Sequence, residues 1–419
     1  MLEQFNTKHI ISKTGERLKL LVDGSTGVPL YYPNLYITSQ IRGAAKSVAT
    51  IQSFITSLKV LYAWSLEYVI DIESRWVSGE WLNVCEIDSL RDYCSLSLRG
   101  HYIQLKKVID LNKIRRNNVE NVDSATKYVR MTFIADYLMW LGEILGLQRL
   151  DKDCKAEIVA MHRSIKTHRP KHKGRSNTAR EDKGLDPILI KEVLEVTKPG
   201  HDNNPSNDHE LQIRNALIIA LLHYLGIRRG ELLNIRVDDI DFITNEIRII
   251  RRADSYNDPR VYQPLVKTEE RTLPITDKLA GNISEYVTNI RSTFLRARKH
   301  PYLFVTHKAG SYQGMPLSNS GFGKLMISLQ HVADNFSGVH AHAFRHSWNY
   351  SFSNIIDNLD SETSPGKEEQ MRSYLMGWKE TSGTAAIYNR RHIKEKAKEA
   401  ILEFQRGLGL RERSSDAPD

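Results

Sequence analysis

The chain has 419 residues, of which 41% are hydrophobic and 26% charged, a composition that supports folded cores and excludes a mainly disordered protein. Its 59 lysines and arginines exceed its 50 acidic residues, and the formal net charge of +9 favours an anionic partner such as nucleic acid. Its three cysteines lack metal-binding spacing, the longest apolar stretch (216–227) is too short for a bilayer, and no secretory signal is visible, so a cytoplasmic protein without structural zinc or membrane contact is expected.

The first part of the chain is predicted to be an extended arm followed by a mainly helical domain. The arm covers 1–45, with a strand at 17–23, a turn cluster at 23–27 and a second extended segment after it. From Ser47 onward apolar residues recur at intervals of three and four, and the same periodicity returns over 125–145. These patterns predict a helical domain over 46–160.

A basic segment follows this domain. Between positions 163 and 175 there are six lysines or arginines and no acidic residue, together with Pro170 and Gly174. Proline and glycine oppose regular structure and like charges keep a segment extended, which predicts a basic linker over 161–184. The linker is either a solvated connection between domains or a segment that lies on phosphates. Its candidate DNA-binding residues are Arg163, Lys166, Arg169, Lys171, Lys173 and Arg175.

A second domain is predicted over 185–407, followed by a flexible tail at 408–419. Asn207 and Glu210 have the spacing of a capping box and predict the start of a long helix. Strands are predicted at 246–250, 264–268 and 271–275, and helices return to the end, the last with aligned apolar residues over 393–404. The expected fold is therefore multidomain, with a mainly α N-terminal domain and a mixed α/β domain that is mostly α with a small antiparallel sheet.

Two motifs of the second domain suggest an anion site. Arg228 follows a glycine at the end of the long helix, where a guanidinium is costly unless an anion meets it, and Glu231 could hold it by a hydrogen bond. A structural arginine–glutamate pair is the alternative. Farther along, His342 and Arg345 are spaced to share a helix face, which suits a phosphate, and no nearby cysteine or carboxylate completes a metal site.

In their order, these motifs resemble the tyrosine recombinases, also called phage-type integrases. The resemblance covers roughly 185–405, and the helical segment 47–147 is similar in position and periodicity to the family's core-binding domain. The resemblance implies that the catalytic residues are Arg228, Lys267 on a hairpin, His342 and Arg345 of a His-x-x-Arg-His box, Trp378 and Tyr388, with Glu231 and His346 in support.

The chain departs from the family pattern at three places. Trp378 stands where most members have histidine, and because an indole only donates, we assign it to phosphate binding and packing. The acidic stretch 357–369 and the stretch 251–261 lengthen the spacing between the motifs. Lys278 and Lys308 therefore remain alternatives to Lys267 as the catalytic lysine.

The resemblance also implies the reaction. The oxygen of Tyr388 would attack a DNA phosphodiester to give a 3′-phosphotyrosine and a free 5′ hydroxyl, which later rejoins the DNA without ATP, metal or other cofactor. Arg228 and Arg345 would stabilise charge on the phosphate, His342 would accept the tyrosine proton, and Lys267 would protonate the departing oxygen.

The expected partner is double-stranded DNA with specific recombination sites. By resemblance the two domains would form a C-shaped clamp, and the helix at 393–404 would dock in cis or on a neighbouring copy to give a tetramer on two DNA sites. The protein would be nucleoid-associated and would mobilise or integrate a genetic element. A type IB topoisomerase and a non-catalytic DNA-binding regulator on the same scaffold remain alternative functions.

Overall fold

The computed structural model describes residues 4–42, 48–97, 121–145, 152–170, 184–252, 254–357, 365–379 and 401–402. The chain divides into two compact units, an N-terminal unit over 1–176 and a C-terminal unit over 177–419. Across the described ranges, no helix combines the length and apolar character needed to cross a membrane.

The N-terminal unit begins with an antiparallel hairpin of β1 (Phe5–Ile11) and β2 (Arg17–Asp23). The strand predicted at 17–23 is thus confirmed. The extended segment predicted after it is wrong from Tyr31, because α1 (Tyr31–Tyr36) and a π-helical turn (Ile37–Arg42) follow. Pro33 lies in the first turn of α1, where a missing N–H is tolerated, and Asn34 bonds both backbone groups of Leu21 and so fixes the helix on β2.

Five further helices are described in the N-terminal unit. They are α2 (Val48–Glu67), α3 (Ile72–Ser78), α4 (Val84–Tyr93), α5 (Ser124–Leu145) and α6 (Lys152–Thr167). The predicted apolar face of α2 is buried, as are Phe5 and Leu21 of the hairpin in the same core. Trp76 is buried as well, and its indole N–H donates to the Leu138 carbonyl at 3.0 Å, which satisfies its polar group.

The start of the predicted irregular basic segment is helical in the structure. Residues 163–167 form the last turn of α6, where Lys166 makes an ion pair of 2.8 Å with Asp136 of α5. The prediction of irregular structure from position 163 is therefore wrong for these residues. Pro170 disfavours helical backbone only at the residue before it, so the helix can continue to Thr167 and pack on α5.

The C-terminal unit contains seven described helices and one three-stranded sheet. The helices are α7 (Pro187–Val196), α8 (His209–Leu225), α9 (Arg229–Leu232), α10 (Asp277–Glu285), α11 (Asn319–Gln330), α12 (Ala341–Asp357) and α13 (Pro365–Met376). The antiparallel sheet has the order β3 (Ile240–Asp241), β4 (Glu246–Ile249), β5 (Arg271–Pro274), with Ile247 opposite Leu273. The predicted fold class, a mainly α unit and a mostly α unit with a small antiparallel sheet, is confirmed.

Two local predictions for this unit are corrected. The cap of α8 is Asp208 and not Asn207, because the Asp208 carboxylate accepts from the Leu211 N–H at 2.6 Å. The segment 264–268 is not a strand, since its polar groups bond to side chains instead of a neighbouring strand. The Pro264 carbonyl accepts from the Asn234 amide, and the Thr268 hydroxyl donates to Glu231.

Candidate active site

The end of α8 positions Arg228. The buried helix stops at Gly226, whose φ of +58° is the left-handed conformation that favours glycine at a helix end. Ile227 is fully buried, and Arg228 then precedes the first turn of α9. The Glu231 carboxylate accepts from the Arg228 backbone N–H at 3.1 Å and lies 3.4 Å from Nη1. Because the Arg228 side chain keeps 33% exposure, its guanidinium is accessible to a phosphate.

Glu231 has a second and closer cationic partner. Nη2 of Arg271, at the start of β5, donates to Oε2 of Glu231 at 2.8 Å. The Thr268 hydroxyl donates to Oε1 at 2.7 Å, and Nη1 of Arg271 donates to the same hydroxyl at 3.2 Å. The expected Arg228–Glu231 contact is therefore present, but it is the longer arm of a buried network that also joins Thr268 and Arg271.

The charge of Glu231 follows from these neighbours. Burial alone would raise the pKa of its carboxyl group, but the guanidinium groups of Arg271 and Arg345 and the hydrogen bonds from Thr268 and Arg271 outweigh burial. The pKa of Glu231 is consequently below its usual value, and the carboxylate is ionised at neutral pH.

Arg345 lies near the start of α12 and is only 1% exposed. Its Nη1 donates to the Gly226 carbonyl and its Nη2 to the Met376 carbonyl, both at 2.8 Å. Its guanidinium carbon lies 5.3 Å from the ring centre of Trp378. These contacts join the Arg345 side chain to the turn that carries Arg228 and to the segment that carries Trp378.

The end of α13 completes this arrangement. Gly377 has a φ of +63°, and a Cβ at this position would lie 2.6 Å from Nη1 of Arg271 and 2.8 Å from Cβ of Thr268. The Gly377 carbonyl accepts from the Glu269 N–H at 3.0 Å, and Trp378 is buried directly after it. Only a glycine therefore allows the backbone before Trp378 to pass this close to the Thr268–Arg271 contact.

His342 lies one helical turn before Arg345 in α12 and is exposed. Its ring centre is 4.4 Å from that of His346, in an edge-to-face arrangement. The Nδ1 atom of His340 accepts from the Ala343 N–H at 3.0 Å, which satisfies a backbone donor in the first turn of the helix. Within the described part of the chain, no three histidines, cysteines or carboxylates converge in a way that could hold a metal ion.

The other predicted site residues have different surroundings. Lys267 is exposed and stands between the buried Val266 and Thr268 in the irregular segment before β5. Tyr388 and the predicted helix at 393–404 lie outside the described residues, apart from 401–402, which are helical.

The six candidate DNA-binding residues fall into two groups. Arg163 is exposed, whereas Lys166 pairs with Asp136, and Arg169 stacks on Tyr128 at 4.5 Å and donates to the Thr132 hydroxyl. The remaining three, Lys171, Lys173 and Arg175, lie outside the described residues.

The sequence analysis did not assign roles to Arg271 and Thr268, although both lie in the same motif as the predicted catalytic residue Lys267. The available signal was Glu231, because a buried carboxylate needs more hydrogen-bond donors than one partly exposed arginine supplies. Thr268 and Arg271, which are 37 and 40 positions away in the sequence, supply them.

Comparisons with known proteins agree with the motifs. A model of the phage integrase family matches residues 201–395. The chain is 25% identical over 146 residues to the tyrosine recombinase XerD of Halalkalibacterium halodurans, an alignment that covers 35% of this chain and 42% of that protein. It is 27% identical over 291 residues to transposase A from transposon Tn554 of Staphylococcus aureus, with 69% of this chain and 71% of that protein covered.

Among solved structures, the integrase of transposon Tn1549 in complex with circular intermediate DNA is similar over 88% of this chain and 99% of that chain, with 12% identity and a TM-score of 0.45. The matched family region contains all the motifs from Gly226 to Tyr388 in their expected order. Residues 201–395 of the chain therefore form a domain of the phage integrase family of tyrosine recombinases.

Proposed function

We propose that the chain is a site-specific recombinase that cuts and rejoins duplex DNA through a 3′-phosphotyrosine intermediate. One observation carries this proposal. The turn bearing Arg228, the segment beside Lys267, the start of α12 with Arg345 and the end of α13 before Trp378 are joined by one set of buried hydrogen bonds. Such a set brings the four chain segments that carry Arg228, Lys267, Arg345 and Trp378, which are distant in the sequence, to one place.

The two arginines suit the charge that develops on a phosphate under attack. A guanidinium stays protonated and presents several N–H donors in a fixed plane, which matches the nonbridging oxygens of a phosphodiester. Two carbonyl oxygens hold the guanidinium of Arg345, so it does not have to be ordered during the reaction, and the capping of α9 fixes the backbone of Arg228.

The proton transfers follow from the remaining residues. As the Tyr388 oxygen forms a bond to phosphorus, its proton passes to His342, since a tyrosine with a free pKa of about 10 needs an acceptor at neutral pH. The bond from phosphorus to the 5′ oxygen breaks with its electron pair, and that oxygen takes a proton from Lys267. The reverse attack by a 5′ hydroxyl restores the phosphodiester and the free tyrosine, so no energy source is consumed.

The biological reaction is mobilisation or integration of a genetic element. The similarity to the Tn554 transposase, which extends over 69% of this chain, supports this assignment. Strand exchange between two duplexes needs two cuts in each, so four copies of the chain would act together on two sites. The basic residues between positions 163 and 175 would add phosphate contacts.

Covalent capture tests this proposal. The full chain is incubated with nicked duplexes tiled across the DNA on both sides of its coding sequence, together with a pool of nicked duplexes of randomised sequence. A nick near the cleavage point lets the short fragment that carries the free 5′ hydroxyl diffuse away, which prevents rejoining. The wild type should therefore accumulate an SDS-resistant adduct through a 3′ phosphate on Tyr388. Tyr388→Phe should form no adduct, and Tyr374→Phe, which alters an exposed tyrosine of α13, should form as much as the wild type.

Peptide mapping of the adduct decides among the alternatives. An adduct on another tyrosine would contradict the assignment of Tyr388, and DNA binding without any adduct would favour the regulator. Efficient relaxation of a supercoiled plasmid that lacks the captured sequence would favour a topoisomerase.

A further inference from the structure

We propose that Arg271 is a positioning residue for this reaction, which holds Lys267 and Arg228 in register without touching the DNA. This inference rests on the proposed function. Its basis is that one buried guanidinium bonds to three chain segments, each of which carries or adjoins a predicted catalytic residue.

The first segment is the turn before α9. Nη2 of Arg271 donates to Glu231 at 2.8 Å, and the same carboxylate accepts from the Arg228 N–H at 3.1 Å. The backbone at Arg228 is thus fixed through a carboxylate whose orientation depends on Arg271.

The second segment carries Lys267. Nη1 of Arg271 donates to the Thr268 hydroxyl at 3.2 Å, and that hydroxyl donates to Glu231 at 2.7 Å. The segment is not part of the sheet, so these side-chain bonds take the place of a strand ladder next to Lys267. The buried Thr268 hydroxyl therefore anchors the residue that precedes it in the chain.

The third segment is the end of α13. Nε of Arg271 donates to the Leu375 carbonyl at 2.7 Å, and the Glu269 N–H donates to the Gly377 carbonyl at 3.0 Å. Trp378 follows directly. A lysine at 271 has one nitrogen and cannot keep donors in three directions, so Arg271→Lys would preserve the charge but lose the geometry.

A direct role on DNA does not fit Arg271, because each of its three side-chain nitrogens donates to a protein acceptor and its charge is paired with Glu231, whose side chain is fully buried. Its effect on catalysis would pass through Lys267 and Arg228. A leaving oxygen needs the proton of Lys267. A leaving sulfur scarcely needs it, because a thiol has a pKa of about 8.5 and the thiolate is stable without a proton. The ratio of cleavage rates on the two substrates therefore reports the position of Lys267.

The experiment uses the full chain and the captured duplex, synthesised with oxygen or sulfur at the 5′ bridging position. Lys267→Ala should lose on the order of 10²-fold or more on oxygen and little on sulfur. Thr268→Val, which removes one hydroxyl at nearly constant volume, should lose about tenfold more on oxygen than on sulfur. Arg271→Lys should show the same discrimination, with a further loss on both substrates because Arg228 also shifts.

Arg291→Lys is the matched control. Arg291 is a buried arginine of the same unit that donates to three carbonyl oxygens, those of Tyr302, Ala297 and His300. A general weakening of the fold should lower its rates on both substrates by one common factor. If Thr268→Val and Arg271→Lys also keep the wild-type ratio, the positioning role is overturned, and Thr268→Val alone decides if Arg271→Lys does not fold.

The proposed function can fail separately from this inference. A wild type that forms no adduct on either substrate contradicts the recombinase assignment and leaves no reaction for Arg271 to support. A wild type that is active, with variants that do not distinguish oxygen from sulfur, contradicts only the positioning role.

Discussion

Replacing Gly226 by alanine should damage the candidate active site far more than the addition of one methyl group suggests. Gly226 has a φ of +58°, which costs an alanine roughly 1–2 kcal/mol. A Cβ there would lie 2.7 Å from Cγ of Trp348 and 3.1 Å from Cε of Met376, and such overpacking costs a further ~1–3 kcal/mol. We therefore expect the free energy of unfolding of the C-terminal unit to fall by roughly 2–5 kcal/mol.

The same substitution should affect catalysis, because the Gly226 carbonyl accepts from Arg345 at 2.8 Å and a displaced turn would move both arginines. Hydrogen exchange of the α8 backbone in the full chain measures the stability of this unit separately from the other. Gly200→Ala is the matched control, since its φ is +83° but no atom lies within 4 Å of its Cβ position. Equal destabilisation by the two substitutions would refute the reasoning about Trp348.

Two further predictions concern charge. Arg228→Ala and Arg345→Ala should each cost about 3 kcal/mol or more in single-turnover cleavage and much less in DNA binding, and equal losses in both assays would make them ordinary phosphate contacts. Burial lowers the pKa of His307 to about 3, so its neutral ring contributes stability above pH 6.5 that is lost as the pH falls from 6.5 towards 3. Hydrogen exchange should show that the C-terminal unit loses stability between pH 7 and 5, and His307→Phe should make this loss about 2 kcal/mol smaller.

Periodic patterns in the sequence predicted those elements of the fold whose stability comes from one continuous apolar face. In α2, for example, Ile51, Phe54 and Leu58 are spaced as a helix requires, and all three are buried. The same reasoning failed at 264–268, where two apolar residues, Leu265 and Val266, followed by Lys267 and Thr268 resemble a strand. Its polar groups are satisfied by Asn234 and Glu231, which are distant in the sequence, and no local pattern reveals such partners.

For the candidate site, the motifs indicated which residues to examine but not how they are held. The spacing of Arg228 and Glu231 predicted a contact between them, and the contact exists at 3.4 Å. The shorter bond from Arg271 to the same carboxylate could not be predicted, because its geometry depends on the path of the chain between α9 and β5. Sequence patterns identify residues that need a partner, and the fold selects the partner.

Arg345 and Arg271 show how one unit uses two buried guanidinium groups differently. Both donate to carbonyl oxygens at the end of α13, Arg345 to Met376 and Arg271 to Leu375. Arg271 also forms an ion pair of 2.8 Å with Glu231, whereas Arg345 acts on the same carboxylate through its charge and is held by two carbonyl oxygens. Because the same few residues of backbone hold both side chains in register, we expect Arg345 to meet the phosphate in the proposed reaction while Arg271 maintains the scaffold around it.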